Sequence, residues 1–208
     1  MRALEGIKIL DLSRTGPGQS AVTTLADMGA DVIAIGQPGF AARRAAGGSA
    51  SATFGLSVGR NKRGLLLNLN DERGKEIFYR LVRDADVVME SFRPGVVKRL
   101  GVDYDTLKTL NPNIIYLSLS GFGQEGPYAT LAGHDMNYES VGGMLVEDSD
   151  GRPQIPSSIW ADRIATFNAT IGILMGLVSR QRLGRGQYID VAFVDGAVTL
   201  GGSEGDPM

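Results

Sequence analysis

The 208-residue chain has no cysteine, which excludes disulfides, thiolate metal sites, iron–sulfur clusters and a cysteine nucleophile. It has one histidine, His134, so a histidine-rich metal site is excluded as well, whereas a carboxylate site for Mg²⁺ is not. An excess of charge of one sign is also missing. The 21 Lys and Arg and 23 Asp and Glu are interspersed and leave a net charge of −2, with no basic stripe and no acidic arm. No nucleic-acid partner is expected. No apolar run reaches bilayer length: the longest, ATIGILMGLV at 169–178, reads as a buried helix. The opening MRALEGIKILDLSR is broken by Glu5, Lys8 and Asp11, so neither a signal peptide nor a membrane contact is expected. A soluble, cytoplasmic protein is the expectation.

Glycine is abundant, 29 of 208 residues against a usual share of roughly 7%, and it clusters between apolar segments. Tight turns and close backbone approaches follow from that. Short apolar runs at 7–13, 31–36, 64–69, 86–91 and 114–120, and a last one within GRGQYIDVAFVDG, read as buried strands. Helices are expected between them: after the turn at 16–18 and ending at Gly29, over 71–85 with Asp71 as N-cap, and as two short pieces around Asp105, a possible cap. Ile77, Phe78, Leu81 and Val82 mark the apolar face of the 71–85 helix. Two more helices are expected, from Met136 to about Val146, weakened by Gly142 and Gly143, and from Asp162 to Gln181. On the latter, Ile164, Phe167, Ile171, Leu174 and Val178 are spaced as one face. Residues 37–59 are small and Gly-rich and read as a long functional loop. Strand–helix alternation predicts an α/β, Rossmann-like doubly wound, mostly parallel sheet.

Two stretches carry candidate chemistry. Gly16, Gly18 and Ala21 follow a strand and open a helix, the setting of a dinucleotide fingerprint, in which backbone N–H groups approach a pyrophosphate. The acid that should end the next strand is missing, since Gly36 and Gln37 stand there, so NAD is disfavoured. Binding of another nucleotide-like group, or a plain tight turn with Pro17 at the first helical position, both stay open. The second stretch is LAGHDMNYESVGG. His134 precedes a helix that Asp135 can cap, and the positive helix end favours a neutral imidazole. Asp162 opens the strongest helix, whose N–H groups are expected to keep its carboxylate ionised. Each residue is equally readable as an ordinary cap or loop residue. Both follow Gly/Pro-rich loops, which gather at one edge of such a sheet.

GIKILDLSRTGPGQSAVTTLADMGADVIAIGQPG, GRNKRGLLLNLN, SFRPGVVKRLG, SGFGQEGPY, AGHDMNY and GRGQYIDVAFVDG together resemble the class III CoA-transferase superfamily, which includes the α-methylacyl-CoA racemases. The resemblance runs along nearly the whole chain. It implies a CoA thioester as substrate and no permanently bound cofactor or metal. It places Thr15, Gly16 and Pro17 at the adenosine end of CoA, and Leu67, Leu69 and Asn70 along the nucleotide and pantetheine. Ser91, Phe92, Arg93 and Arg99 match the segment that contacts CoA, with arginines suited to its phosphates. Asp162 matches the family's catalytic aspartate, and His134 the histidine of the racemase branch.

A racemase needs two acid/base groups flanking an α-carbon, which His134 and Asp162 supply. A transferase needs a carboxylate nucleophile, which Asp162 supplies alone. Three departures accompany the resemblance. Gln37 stands where many relatives have arginine beside the adenine, and Gly36 where they have an acid. Asn70 replaces a common lysine. Members are also longer, with a second, smaller domain and an interlocked dimer. The resemblance therefore implies that residues 1–208 are the CoA-binding Rossmann-like large domain, interrupted at its C-terminus. A homodimer or a second subunit is expected to complete it. The expected activity is racemase or epimerase of 2-methylacyl-CoA thioesters. CoA transfer through Asp162, or a non-catalytic CoA-binding subunit, are the alternatives.

Overall fold

The computed structural model describes residues 2–39 and 57–201. Most of the Gly-rich loop read at 37–59 therefore lies outside the described residues. Six strands form one sheet: β1 (Lys8–Leu12), β2 (Asp31–Gly36), β3 (Lys62–Leu66), β4 (Val87–Glu90), β5 (Ile115–Ser120) and β6 (Tyr188–Ala192). Their order is β3-β2-β1-β4-β5-β6 and every pairing is parallel. This is the doubly wound order, with the switch point between β1 and β4.

The helices are α1 (Gly16–Asp27), α2 (Glu72–Arg83), α3 (Val96–Leu100), α4 (Tyr104–Leu110), α5 (Asp135–Val141), α6 (Trp160–Leu183) and α7 (Phe193–Gly201). Strand residues alternate between two cores. Ile9, Val87, Met89, Ile115 and Leu117 face α1, α5, α6 and α7. Leu10, Leu12, Val88 and Tyr116 face the side packed by Phe78 and Val82 of α2 and Leu107 of α4. On α2, Asp71 is the N-cap, accepting from the Arg73 N–H at 3.0 Å. Ile77, placed with the apolar face, is exposed instead.

Other local expectations shift. Pro17 takes the second helical position, because Thr15 caps α1 and Gly16 begins it. Asp103, not Asp105, caps α4, accepting from the Thr106 N–H at 3.2 Å. β3 begins at Lys62, two residues before the apolar run, since the Lys62 ammonium is satisfied by buried Asp11. Leu67 and Leu69 thus leave the strand and bury themselves in the α2-side core. α5 stops at Gly142, where an added Cβ would lie 2.5 Å from Ala197 Cβ of α7. α7 itself was not expected; it begins directly at the end of β6 with no turn residue between.

The largest revision concerns α6. The side facing the sheet is made of Ala161, Ala165, Ala169, Ile173 and Leu177, all buried. Phe167, Ile171 and Val178, placed by spacing on one face, are 66%, 56% and 54% exposed. Small residues let α6 approach the strands closely. A Cβ at Gly176 would stand 3.0 Å from Ile115 Cγ2. At 24 residues α6 is long and apolar enough to cross a bilayer, but it packs along β5, β6 and α1.

Candidate functional site

The switch point places the segments after β1 and β4 side by side at the carboxyl ends of the strands, where a crevice must open. Ser91 joins them. Its Oγ accepts from the Arg14 N–H at 2.6 Å and the Thr15 N–H at 3.1 Å, so it holds the turn that starts α1. Thr15 Oγ1 accepts from the Gly18 N–H at 3.4 Å. Gly18 is required by close approach: a Cβ there would meet Ser13 Cβ at 2.8 Å. The result is the N-terminus of α1 opening into a cavity of about 440 Å³.

Thr15, Gly16, Pro17, Ser91, Phe92 and Arg93 line that cavity on one side, and His134, Tyr138 and Asp162 on the other. The structure therefore brings together the βα turn, the SFRPG segment and both candidate bases. It does not bring in the remaining candidates. Leu67 and Leu69 are core residues. Asn70 is exposed, its backbone N–H donating to Asn68 Oδ1 at 3.1 Å. Gln37 is exposed beyond β2, and Arg99 is exposed on α3. A neighbouring cavity of about 480 Å³ lies over β2 and β3, lined by Gly36, Leu66 and the Asp11–Lys62 ion pair. Arg14 borders both cavities. Its guanidinium lies 5.6 Å over the Phe92 ring.

His134 is the N-cap residue of α5, and its N–H donates to Asn137 Oδ1 at 2.9 Å. Asp135, expected to be that cap, is instead the first helical residue and is used elsewhere. Its Oδ1 accepts from the backbone N–H of Asp162 at 2.8 Å. Glu139, one turn on, accepts from the Trp160 N–H at 2.7 Å. The N-terminus of α6 is thus capped by two carboxyls from α5, and its N-cap position is held by Ile159.

This reverses the expectation for Asp162, which is neither the cap of its helix nor held ionised by it. Burial, and then the negative charge of Asp135, push its carboxyl up to about 6, with His134 opposing. Asp162 also borders a smaller cavity of about 300 Å³, between Pro17 and Phe167.

Two site features had little sequence signal. Glu139 is an acid inside a short helix and only 1% exposed. Glu90 ends β4 and is equally buried, its Oε2 accepting from the Phe92 N–H at 2.7 Å. Burial pushes the Glu90 carboxyl up to about 7, against hydrogen bonds from Ser118 and Phe92. An acid ending an otherwise apolar strand, as in DVVMES, was the signal available. Among the described residues no cluster of three or more His, Asp or Glu side chains is arranged to hold a metal.

Residues 4–204 match the family model described as CoA-transferase family III. The human α-methylacyl-CoA racemase is 38% identical over 202 residues, covering 95% of this chain and 50% of that protein. A succinate–glutarate CoA-transferase of Agrobacterium fabrum is 37% identical, covering 92% and 51%. The crystal structure of a CAIB/BAIF family protein from Brucella suis superposes with a TM-score of 0.88 at 36% identity, covering 96% of this chain and 55% of that one. The chain thus spans about half the length of the curated relatives it matches. With its doubly wound sheet, its switch-point cavity and a match from residue 4 to residue 204, the chain belongs to CoA-transferase family III.

Proposed function

We propose that the chain is the CoA-binding domain of an acyl-CoA enzyme that racemises or epimerises 2-methylacyl-CoA thioesters by two-base α-proton transfer. His134 and Asp162 are the two bases. The observation that carries this reading is their shared cavity wall, with the Asp162 carboxyl raised to about 6 so that it exchanges a proton near neutrality. One base removes the α-proton, and the electron pair moves onto the thioester oxygen as an enolate. The other base returns a proton to the opposite face. The α1 N-terminus and Arg93 suit the phosphates of CoA, which enters as substrate rather than as a resident cofactor. Gln37, Leu67, Leu69, Asn70 and Arg99 do not line this cavity and are given no part in the proton transfer.

A 2-methylacyl-CoA incubated with the protein in D₂O is expected to gain deuterium at its α-carbon. Both His134→Ala and Asp162→Ala should lower that uptake by at least 100-fold. Absence of uptake with folded wild-type protein refutes the reading.

A second reading is favoured by relatives named as CoA-transferases. Asp162 attacks the thioester carbonyl, a C–O bond forms, the C–S bond breaks, and CoA leaves as thiolate from a mixed anhydride. Exchange of CoA between an acyl-CoA and a carboxylate that survives His134→Ala and not Asp162→Ala selects this reading. CoA binding without either activity leaves a CoA-binding subunit. The proposal also includes a second copy of the chain on the apolar side of α6, supported by exposed Phe167, Ile171 and Met175. Sedimentation equilibrium distinguishes a homodimer from a monomer that needs a second subunit.

A further inference from the structure

The N-terminus of α6 presents backbone N–H groups at Trp160, Ala161 and Asp162 with no partner inside the helix. An aspartate in the first turn ordinarily draws on such groups, which hold its carboxylate ionised and turned toward the helix end. Here those donors are taken from outside. Glu139 accepts from Trp160 at 2.7 Å and also bonds the Ala161 N–H, while Asp135 accepts from Asp162 at 2.8 Å. The two capping carboxyls touch each other as well. Burial first, and then the neighbouring Asp135, raise the Glu139 carboxyl above its ordinary value. Glu139 is 1% exposed, so its placement is fixed by packing rather than by solvent. It borders neither cavity that Asp162 lines, so it has no route to a bound thioester.

We propose that Glu139 is a positioning residue that occupies the α6 N-terminus in place of Asp162, leaving the Asp162 carboxyl unsatisfied by its own helix and free to take a proton in the cavity. The inference rests on the reading of Asp162 as a base. The titratable and charged groups around Asp162 are His134 and Asp135, with Tyr138 beside them and Arg93 across the cavity. None of these reaches the N–H groups of Trp160 or Ala161 in the structure. Removing Glu139 frees those donors for Asp162, whose carboxyl then loses its raised basicity. Glutamine keeps the arrangement, since its carbonyl accepts from Trp160 and its amide donates to Asp135.

The test is a ¹³C NMR titration of protein labelled at the aspartate carboxyls, with the Asp162 signal assigned by Asp162→Asn. In Glu139→Leu the Asp162 midpoint is expected to fall by at least one pH unit, and deuterium uptake at pH 7 by at least tenfold. Glu139→Gln is expected to stay within about 0.3 unit and threefold of wild type. An unmoved midpoint in Glu139→Leu overturns the proposal, as does Glu139→Gln behaving like Glu139→Leu. If Glu139→Leu does not fold, Glu139→Met takes its place. If both fail while Glu139→Gln folds, Glu139 is a structural cap alone and the proposal falls. The midpoint is read without turnover. A shift with no deuterium uptake in any variant therefore refutes the two-base reading, while the effect of Glu139 on the Asp162 carboxyl stands.

Discussion

Lys62→Met tests whether the buried ion pair holds the left half of the sheet to the turn of the site. The side chains of Lys62 and Asp11 are each 3% exposed and meet at 2.9 Å. Lys62 Nζ also donates to the Gln19 carbonyl of α1 at 2.8 Å, so one ammonium links β3, β1 and α1. Methionine fills a similar volume but supplies neither bond. Asp11 then keeps the N–H and hydroxyl of Ser13 and the more distant charge of Arg14, and the Gln19 carbonyl is left with the Thr23 hydroxyl at 2.7 Å. Stranding one member of a buried pair costs about 3–5 kcal/mol. With a urea m-value of about 2–3 kcal/mol/M, the unfolding midpoint should fall by about 1–2.5 M. At about 2–4 °C per kcal/mol for a chain of this size, Tm should fall by about 6–20 °C.

Replacing both partners removes the stranded charge, and an apolar pair is often close to neutral. Asp11→Leu/Lys62→Met should therefore recover most of the loss. Urea melts followed by far-UV circular dichroism on wild type, Lys62→Met and the double variant decide the matter. A single variant within about 1 kcal/mol of wild type refutes the reasoning. So does a double variant no more stable than the single one.

Two further expectations concern the core and pH. Ile173→Ala, at a position 0% exposed, should cost about 2–5 kcal/mol, while Phe167→Ser, at 66% exposed, should change stability by under about 0.5 kcal/mol in a monomeric sample. Equal losses in thermal melts would mean that α6 is turned the other way. Glu90 has its pKa raised from 4.5 to about 7, so folded protein keeps a proton there that the unfolded chain has released. Stability from this group is complete below pH 4.5 and is lost as pH rises through about 7, a decline of about 3 kcal/mol. Asp162 acts in the same direction over a lower range. Urea melts between pH 5 and 8 should show a shallower decline in Glu90→Gln, and an unchanged slope would remove Glu90 as its source.

The turn at the head of α1 was legible because its causes are local. An apolar strand, a capping threonine and a glycine forced by contact with Ser13 lie within eleven residues. The joining of His134 and Asp162 was not legible from spacing, since it depends on where α5 and α6 end over the sheet. Only the resemblance paired them. The raised carboxyl of Asp162 was not legible for the same reason. A helix start normally stabilises an aspartate, but here its donors are claimed by residues 27 and 21 positions away. β3 was displaced because a lysine reads as a strand boundary until its buried partner, 51 residues distant, is known.

The two sides of α6 show what an apolar period does and does not specify. Ile164, Phe167, Ile171, Leu174 and Val178 recur at helical spacing, and a reading weighted by hydrophobicity turns them toward the core. Ala161, Ala165 and Ala169 recur every four residues on another side, with Gly172 and Gly176 continuing a small-residue surface. A helix lying over a sheet must fit side chains from both into the gap, and large ones on the helix hold it away. Here Ile189 and Ile115 project from the strands and fill that gap, so the helix side must be small. Burial per residue is lower for alanine, but the close approach brings the strand side chains against the helix backbone. Size pattern, rather than total hydrophobicity, therefore carries the signal for which side meets the sheet. It also fixes the site: rotating α6 to bury Phe167 would turn Asp162, five residues earlier and 140° behind it at 100° per residue, to a different side of the helix and out of its place on the cavity wall.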